Sequence, residues 1–279
     1  MTSIIKKSFF CLITLLLLNA CTEEASVTLD TKTAVVEAYL FAGQAADSIR
    51  IIQSYSYARE NTDLITLNEL EVQISDGQQT YDLDHSTEGI YQNPDFIPQS
   101  GATYVLTFDH NGETIRSETF VPQKQTISIS KTSVELEKIR DFGDFVDSGF
   151  GGDQDALEVE WDNSEGDYYY VVIENMEDNP EFVNDLLAEF QENGNALRFF
   201  QITEPEISNF YAISTRRDLT QFGTYRIIVY RVNPEYAALY ETAGTSSINI
   251  ATPPSNIENG LGIFTGVSSD TVYLEVIKN

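Results

Sequence analysis

Thr103-Tyr104-Val105-Leu106-Thr107-Phe108-Asp109-His110-Asn111-Gly112-Glu113-Thr114-Ile115 is the stretch that decides the fold. Tyr104, Leu106 and Phe108 alternate with smaller or polar residues, the period of a strand with one buried face. Asn111-Gly112 follows, and the return strand runs from Ile115 to Val121. Asn-Gly between two alternating runs marks a β-hairpin, because both central positions of its tight turn need positive φ.

The same signal recurs on either side. Upstream, Val35 to Leu40 reads as a first strand, and Ile49 and Ile51 alternate with Ser48 and Arg50. Leu70, Val72 and Ile74 lead into an Asp76-Gly77 turn, after which Tyr81 and Leu83 resume the alternation. Pro122 closes the unit. Short strands at this spacing, with no helical stretch between them, predict an immunoglobulin-like or transthyretin-like β-sandwich over residues 34–122.

Downstream, residues 123–156 read as a connector rich in Gly and Asp, with Ile127 and Ile129 as one short strand. A second unit spans 157–279. Leu157, Val159 and Trp161 alternate with Glu158, Glu160 and Asp162, and Tyr168 to Ile173 is apolar on both faces, as a central strand would be. Asn179-Pro180 predicts a helix over 180–192 with the stripe Phe182, Val183, Leu186, Leu187 and Phe190. A second short helix follows Asn233-Pro234, and Tyr273 to Ile277 reads as the last strand. The expected fold is mainly β: two consecutive antiparallel sandwiches, the second fibronectin-like with inserted short helices.

The N-terminus carries a different message. Lys6 and Lys7 precede an apolar run ending at Leu18-Asn19-Ala20-Cys21. Two lysines, about a dozen apolar residues and a small residue before the break describe a signal peptide over residues 1–20. A cysteine directly after that residue makes it a bacterial lipoprotein signal, with Cys21 as the acylated first residue of the mature chain. The run falls short of the roughly 20 residues a bilayer-spanning helix needs. Residues 21–33 then form a polar tether, and Thr22-Glu23-Glu24 resembles the acidic signals that send such lipoproteins to the cell surface. A periplasm-facing anchor is the other placement.

Composition narrows the function classes. The formal charge of −28 becomes more negative by two once Lys6 and Lys7 leave with the signal. Such a chain is a poor ligand for nucleic acid, whose affinity comes from Lys and Arg on phosphate. Cys11 lies within the signal and Cys21 is acylated, so no thiol remains for a disulfide or a zinc site. Of the two histidines, His110 sits in the hairpin turn and His85 near a strand end, and neither neighbours a nucleophile on a strained turn. Glu158 and Glu160 share a strand face, but a glycosidase also needs a deep cleft. Asp144, Asp147, Asp153 and Asp155 offer hard oxygen ligands among glycines, which Ca2+ favours, but their spacing is not that of an EF-hand and a solvated acidic loop is the preferred reading; no other cofactor is expected. Tyr168-Tyr169-Tyr170 could offer a ring for sugar stacking or simply pack as strand aromatics. Asn256 to Gly266 mixes Gly and Asn with Leu261, Ile263 and Phe264, so it either contacts a partner through Asn256, Leu261, Ile263 and Phe264 or tucks into the core.

Several segments carry a family resemblance: the lipobox, Val35 to Leu40, Ile97 to Leu106, Leu157 to Asn175, Tyr230 to Tyr236 and Pro254 to Phe264. Together they resemble a family of Bacteroidota lipoproteins known as a domain of unknown function, often encoded beside TonB-dependent outer-membrane receptors. The resemblance implies a non-enzymatic accessory subunit of an outer-membrane β-barrel transporter, active in nutrient capture or uptake. It supplies no catalytic residues. A stand-alone adhesin or carbohydrate- or protein-binding lipoprotein is the alternative, and a hydrolase is the third.

Overall fold

The computed structural model describes residues 32–54, 63–143, 157–188, 199–243 and 254–279. Cys21 and the acidic group Asp144, Asp147, Asp153 and Asp155 lie outside the described residues. In chain order the strands of the first half are β1 (Ala34–Phe41), β2 (Ala46–Gln53), β3 (Ile65–Thr66), β4 (Val72–Ser75), β5 (Thr80–His85), β6 (Ile90–Asn93), β7 (Thr103–His110) and β8 (Glu113–Phe120). β9 (Ile127–Ile129), β10 (Ser133–Leu136), β11 (Leu157–Trp161) and β12 (Tyr168–Asn175) lead to helix α1 (Asp185–Ala188). β13 (Phe200–Ile202), β14 (Phe210–Ile213), β15 (Gly223–Val232), helix α2 (Pro234–Ala243) and β16 (Leu261–Lys278) complete the chain.

The chain is mainly β, as its alternation predicts. β7 and β8 pair from Thr103↔Phe120 to His110↔Glu113, around a turn in which Asn111 and Gly112 take φ of 54° and 84°. One large sheet runs β13-β12-β15-β16-β1-β2-β6-β5-β4-β7-β8, with β10 beside β16 and β3 beside β2. β5 belongs to two layers: Thr80 to Leu83 pair with β4, and Asp84 and His85 with β6. The sheet thereby doubles back, and Leu40, Ile51, Ile74, Leu106 and Ile115 meet in an N-terminal core. A second sheet, β14-β11-β9, covers β12, β15 and the end of β16. Leu157, Val159, Trp161, Ile173, Ile227 and Leu274 form that core, while Glu158 and Glu160 point to solvent.

The last strand differs from its expected extent. Instead of Tyr273 to Ile277 it is 18 residues long, beginning at Leu261. Its first part pairs parallel to β1, from Val35↔Leu261 to Phe41↔Val267. Its second part pairs antiparallel to β15, from Val232↔Val267 to Gly223↔Val276, and β10 joins in parallel at Glu275. The large sheet is therefore mixed rather than purely antiparallel, and β16 serves both sandwiches. β9 and β10, in the expected connector, are strands of the C-terminal layers.

The glycines that read as loop signals are close-approach positions. A Cβ on Gly262, at φ +102°, would lie 1.9 Å from the Val36 carbonyl oxygen, and one on Gly266 2.3 Å from that of Phe120. Glycine in a strand interior often marks such an approach.

The first helix also starts later than expected. Asn184 accepts the Leu186 N–H and caps α1, in place of Asn179. Phe182 and Val183 precede the helix: Phe182 bridges to Gln221, the Val183 N–H donates to the Thr220 carbonyl, and the Val183 carbonyl accepts from the Ile139 N–H. Phe190 lies outside the described residues. α2 begins at Pro234 as predicted.

Candidate functional site

Successive strand residues face opposite sides, so the Tyr168-Tyr169-Tyr170 run divides. Tyr169 turns into the C-terminal core, its ring 5.2 Å from that of Trp161. Tyr170 turns to the outer face of the large sheet and stacks on Tyr230 at 4.7 Å, with the rings 12° from parallel. Tyr236 of α2 adds a second stack on Tyr170 at 5.6 Å, and meets Tyr39 of β1 edge-on at 6.1 Å. Phe41 approaches Tyr230, and the Tyr236 and Tyr240 hydroxyls are 3.2 Å apart. Aromatics from β1, β12, β15 and α2 thus gather where the two sandwiches meet.

Polar contacts fix α2 there. Asn233 Nδ2 donates to the Phe120 carbonyl at 2.7 Å and to Thr119 Oγ1 at 3.1 Å. Thr265 Oγ1 donates to Glu235 Oε1 at 3.1 Å. Burial pushes the Tyr170 and Tyr236 phenols far above their ordinary range, and raises Tyr230 and Tyr39. At neutral pH these groups are uncharged hydroxyls, suited to packing and hydrogen bonding rather than to acid–base chemistry.

Further out on the same face, four directly paired residues form one row across four strands: Phe200 on β13, Glu174 on β12, Arg226 on β15 and Tyr273 on β16. Arg226 and Glu174 are ion-paired in the middle. The two aromatics at the ends are open to solvent, Phe200 at 58% and Tyr273 at 56% exposure. The adjoining row is Ile202, Val172, Ile228 and Thr271.

A second polar constellation lies at the seam. Arg231 is buried and donates to Glu165 at 2.6 Å, to Asp167, and to the Gln123 carbonyl at 3.3 Å. Ser268 Oγ donates to the same carbonyl. A cavity of about 170 Å³ adjoins these groups, lined also by Asp162, Asn163 and Tyr169. Arg231 Nε is buried without a hydrogen-bond partner. With its other nitrogens engaged, Arg231 pins the segment between the sandwiches.

The candidates read from sequence fall elsewhere. Asn256 to Phe264 is built into the molecule rather than presented as a free loop. Asn256 Oδ1 accepts the Phe264 N–H at 3.0 Å, and Asn256 Nδ2 donates to the Phe264 carbonyl at 2.7 Å. Phe264 is fully buried in the N-terminal core, Ile263 is buried and Leu261 partly so. Of the two readings of this segment, core packing is the one its burial supports, so Phe264 is not a surface contact. His110 Nε2 lies 3.0 Å from the Lys32 carbonyl, and His85 packs on Tyr91. Among the described residues no group of three or more His, Cys, Asp or Glu is placed to hold a metal ion. Nor is any described helix long and apolar enough to cross a membrane. The Phe200–Tyr273 row was missed in the sequence; alternation could mark each residue as outward, but only register aligns them.

A family model described as Domain of unknown function (DUF4249) matches residues 22–272. No curated protein matches the chain. Among solved structures, a crystal structure of domains from titin is similar at 9% identity and a TM-score of 0.21, covering 88% of this chain and 67% of that one.

Proposed function

This chain belongs to the DUF4249 family, and from that premise we propose that it is a Bacteroidota outer-membrane lipoprotein serving as the non-enzymatic accessory subunit of a TonB-dependent transporter. The observation that carries the reading is the lipobox Leu18-Asn19-Ala20-Cys21 behind Lys6, Lys7 and an apolar run. Acylation of Cys21 tethers the sandwiches to the membrane, and Thr22-Glu23-Glu24 directs them to the cell surface. A buried methylene contributes about 0.8 kcal/mol to membrane binding. With a formal charge of −28 the chain gains no attraction to anionic head groups that would substitute for the lipid. A short tether also holds the protein at high effective concentration over a barrel mouth, so a modest intrinsic affinity suffices. Nutrient capture there needs an exposed face, and the outer face of the large sheet supplies one.

A stand-alone surface-binding lipoprotein is the second reading, favoured by the solvent-exposed Phe200–Tyr273 row, which needs no transporter to act. Uptake separates the two. In cells lacking the gene, uptake of the transporter's cargo should fall, and the wild-type gene should restore it while the Cys21→Ala variant does not. Full uptake without the protein would contradict the accessory role.

A further inference from the structure

We propose that the row Phe200, Glu174, Arg226 and Tyr273 is a binding platform for a neutral oligosaccharide. The inference gives the cargo a chemical class; it rests on the transporter reading only for where that cargo goes.

The row has the two kinds of group a sugar chain needs. A pyranose presents apolar C–H faces and a rim of hydroxyls. Phe200 and Tyr273 offer large exposed rings to the C–H faces. Between them, the Glu174 carboxylate accepts hydroxyl protons and the Arg226 guanidinium donates to hydroxyl oxygens, both as charge-assisted bonds. Strands lie about 4.8 Å apart, so rings three strands apart are separated by about 14 Å. That span fits several linked sugars rather than one. The adjoining Ile202, 51% exposed, and Ile228 widen the apolar floor on one side.

Charge selects the ligand. Arg226 and Glu174 neutralise each other within the row, and the molecule carries a formal charge of −28. A polyanion meets no uncompensated cation there and is repelled by the rest. An apolar protein surface would strip water from the Arg226–Glu174 pair and return no hydrogen bonds, a costly desolvation. A neutral glycan keeps the pair solvated by its own hydroxyls while covering both rings. No bond is made or broken; the site binds.

The test is isothermal titration of the full-length protein in detergent with maltohexaose, cellohexaose, laminarihexaose, xylohexaose and mannohexaose, and with polygalacturonate as the anionic comparison. At least one neutral hexaose should bind, and polygalacturonate should not. Phe200→Ala and Tyr273→Ala should each weaken that binding about tenfold, one aromatic contact's worth, with an unchanged melting temperature. Arg226→Gln should weaken it too. Binding by none of the neutral hexaoses, a preference for polygalacturonate, or affinity unchanged in both aromatic variants would overturn the proposal. Recovery of a barrel transporter with the variants is scored separately. Loss of the transporter without any glycan binding would make the face a protein interface and overturn the glycan assignment. Glycan binding without any transporter would leave the platform standing and remove the accessory role.

Discussion

At the scale of single residues, the sharpest contrast is between Asn111-Gly112 and Phe264. The hairpin turn needs positive φ at two adjacent positions, a local demand that two residue types meet. It was legible from Asn111-Gly112 standing between two alternating runs. Phe264 sits among Gly and Asn, which read as loop, yet its ring is fully buried with Leu40, Leu106 and Ile115. Those three core neighbours lie more than a hundred positions away, so the local sequence does not announce them. Phe264→Ala should therefore destabilise the protein by about 3–5 kcal/mol, the cost of removing a buried aromatic and leaving a cavity. Urea unfolding followed by tryptophan fluorescence measures this. A change below about 1 kcal/mol would be that of a surface ring and would contradict the packing described.

At the scale of elements, β16 organises the molecule. Its residues 261–267 complete the N-terminal sandwich beside β1, and 267–276 complete the C-terminal one beside β15. Val267 is paired on both edges, with Phe41 and with Val232. The strand crosses the end of β8 at Gly266, whose N–H donates to Thr119 Oγ1 at 2.8 Å. Alternation made Tyr273 to Ile277 readable as strand. The part before it was not, because Gly262 and Gly266 answer to backbones that approach only in the folded molecule. The same holds for α1: Asn179-Pro180 has a capping pattern, but the backbones of Phe182 and Val183 pair with Gln221, Thr220 and Ile139 instead. Gly266→Ala should cost about 1–3 kcal/mol through overpacking against the Phe120 backbone. Thermal melts should show the loss in one transition, since β16 belongs to both cores. Unchanged stability would mean that β8 and β16 do not approach this closely.

At the scale of the whole molecule, two sandwiches share one sheet, and the outer face of that sheet carries a tyrosine cluster at the seam and an exposed aromatic row beyond it. The sandwich class was legible because a half-buried strand writes its period into sequence. The face was not, because it is a property of register: Phe200, Glu174, Arg226 and Tyr273 are far apart in the chain and meet only across three strand pairings. The Leu18-Asn19-Ala20-Cys21 stretch stands apart from both: in the proposed role it anchors the molecule. The most direct measurement of the proposed role is affinity isolation of the tagged full-length protein from native outer membranes, followed by mass spectrometry of what it retains. The account predicts a TonB-dependent β-barrel transporter in amounts comparable to the bait, strongly reduced when Cys21 is replaced by alanine. Recovery of the wild-type protein with no barrel transporter would contradict it.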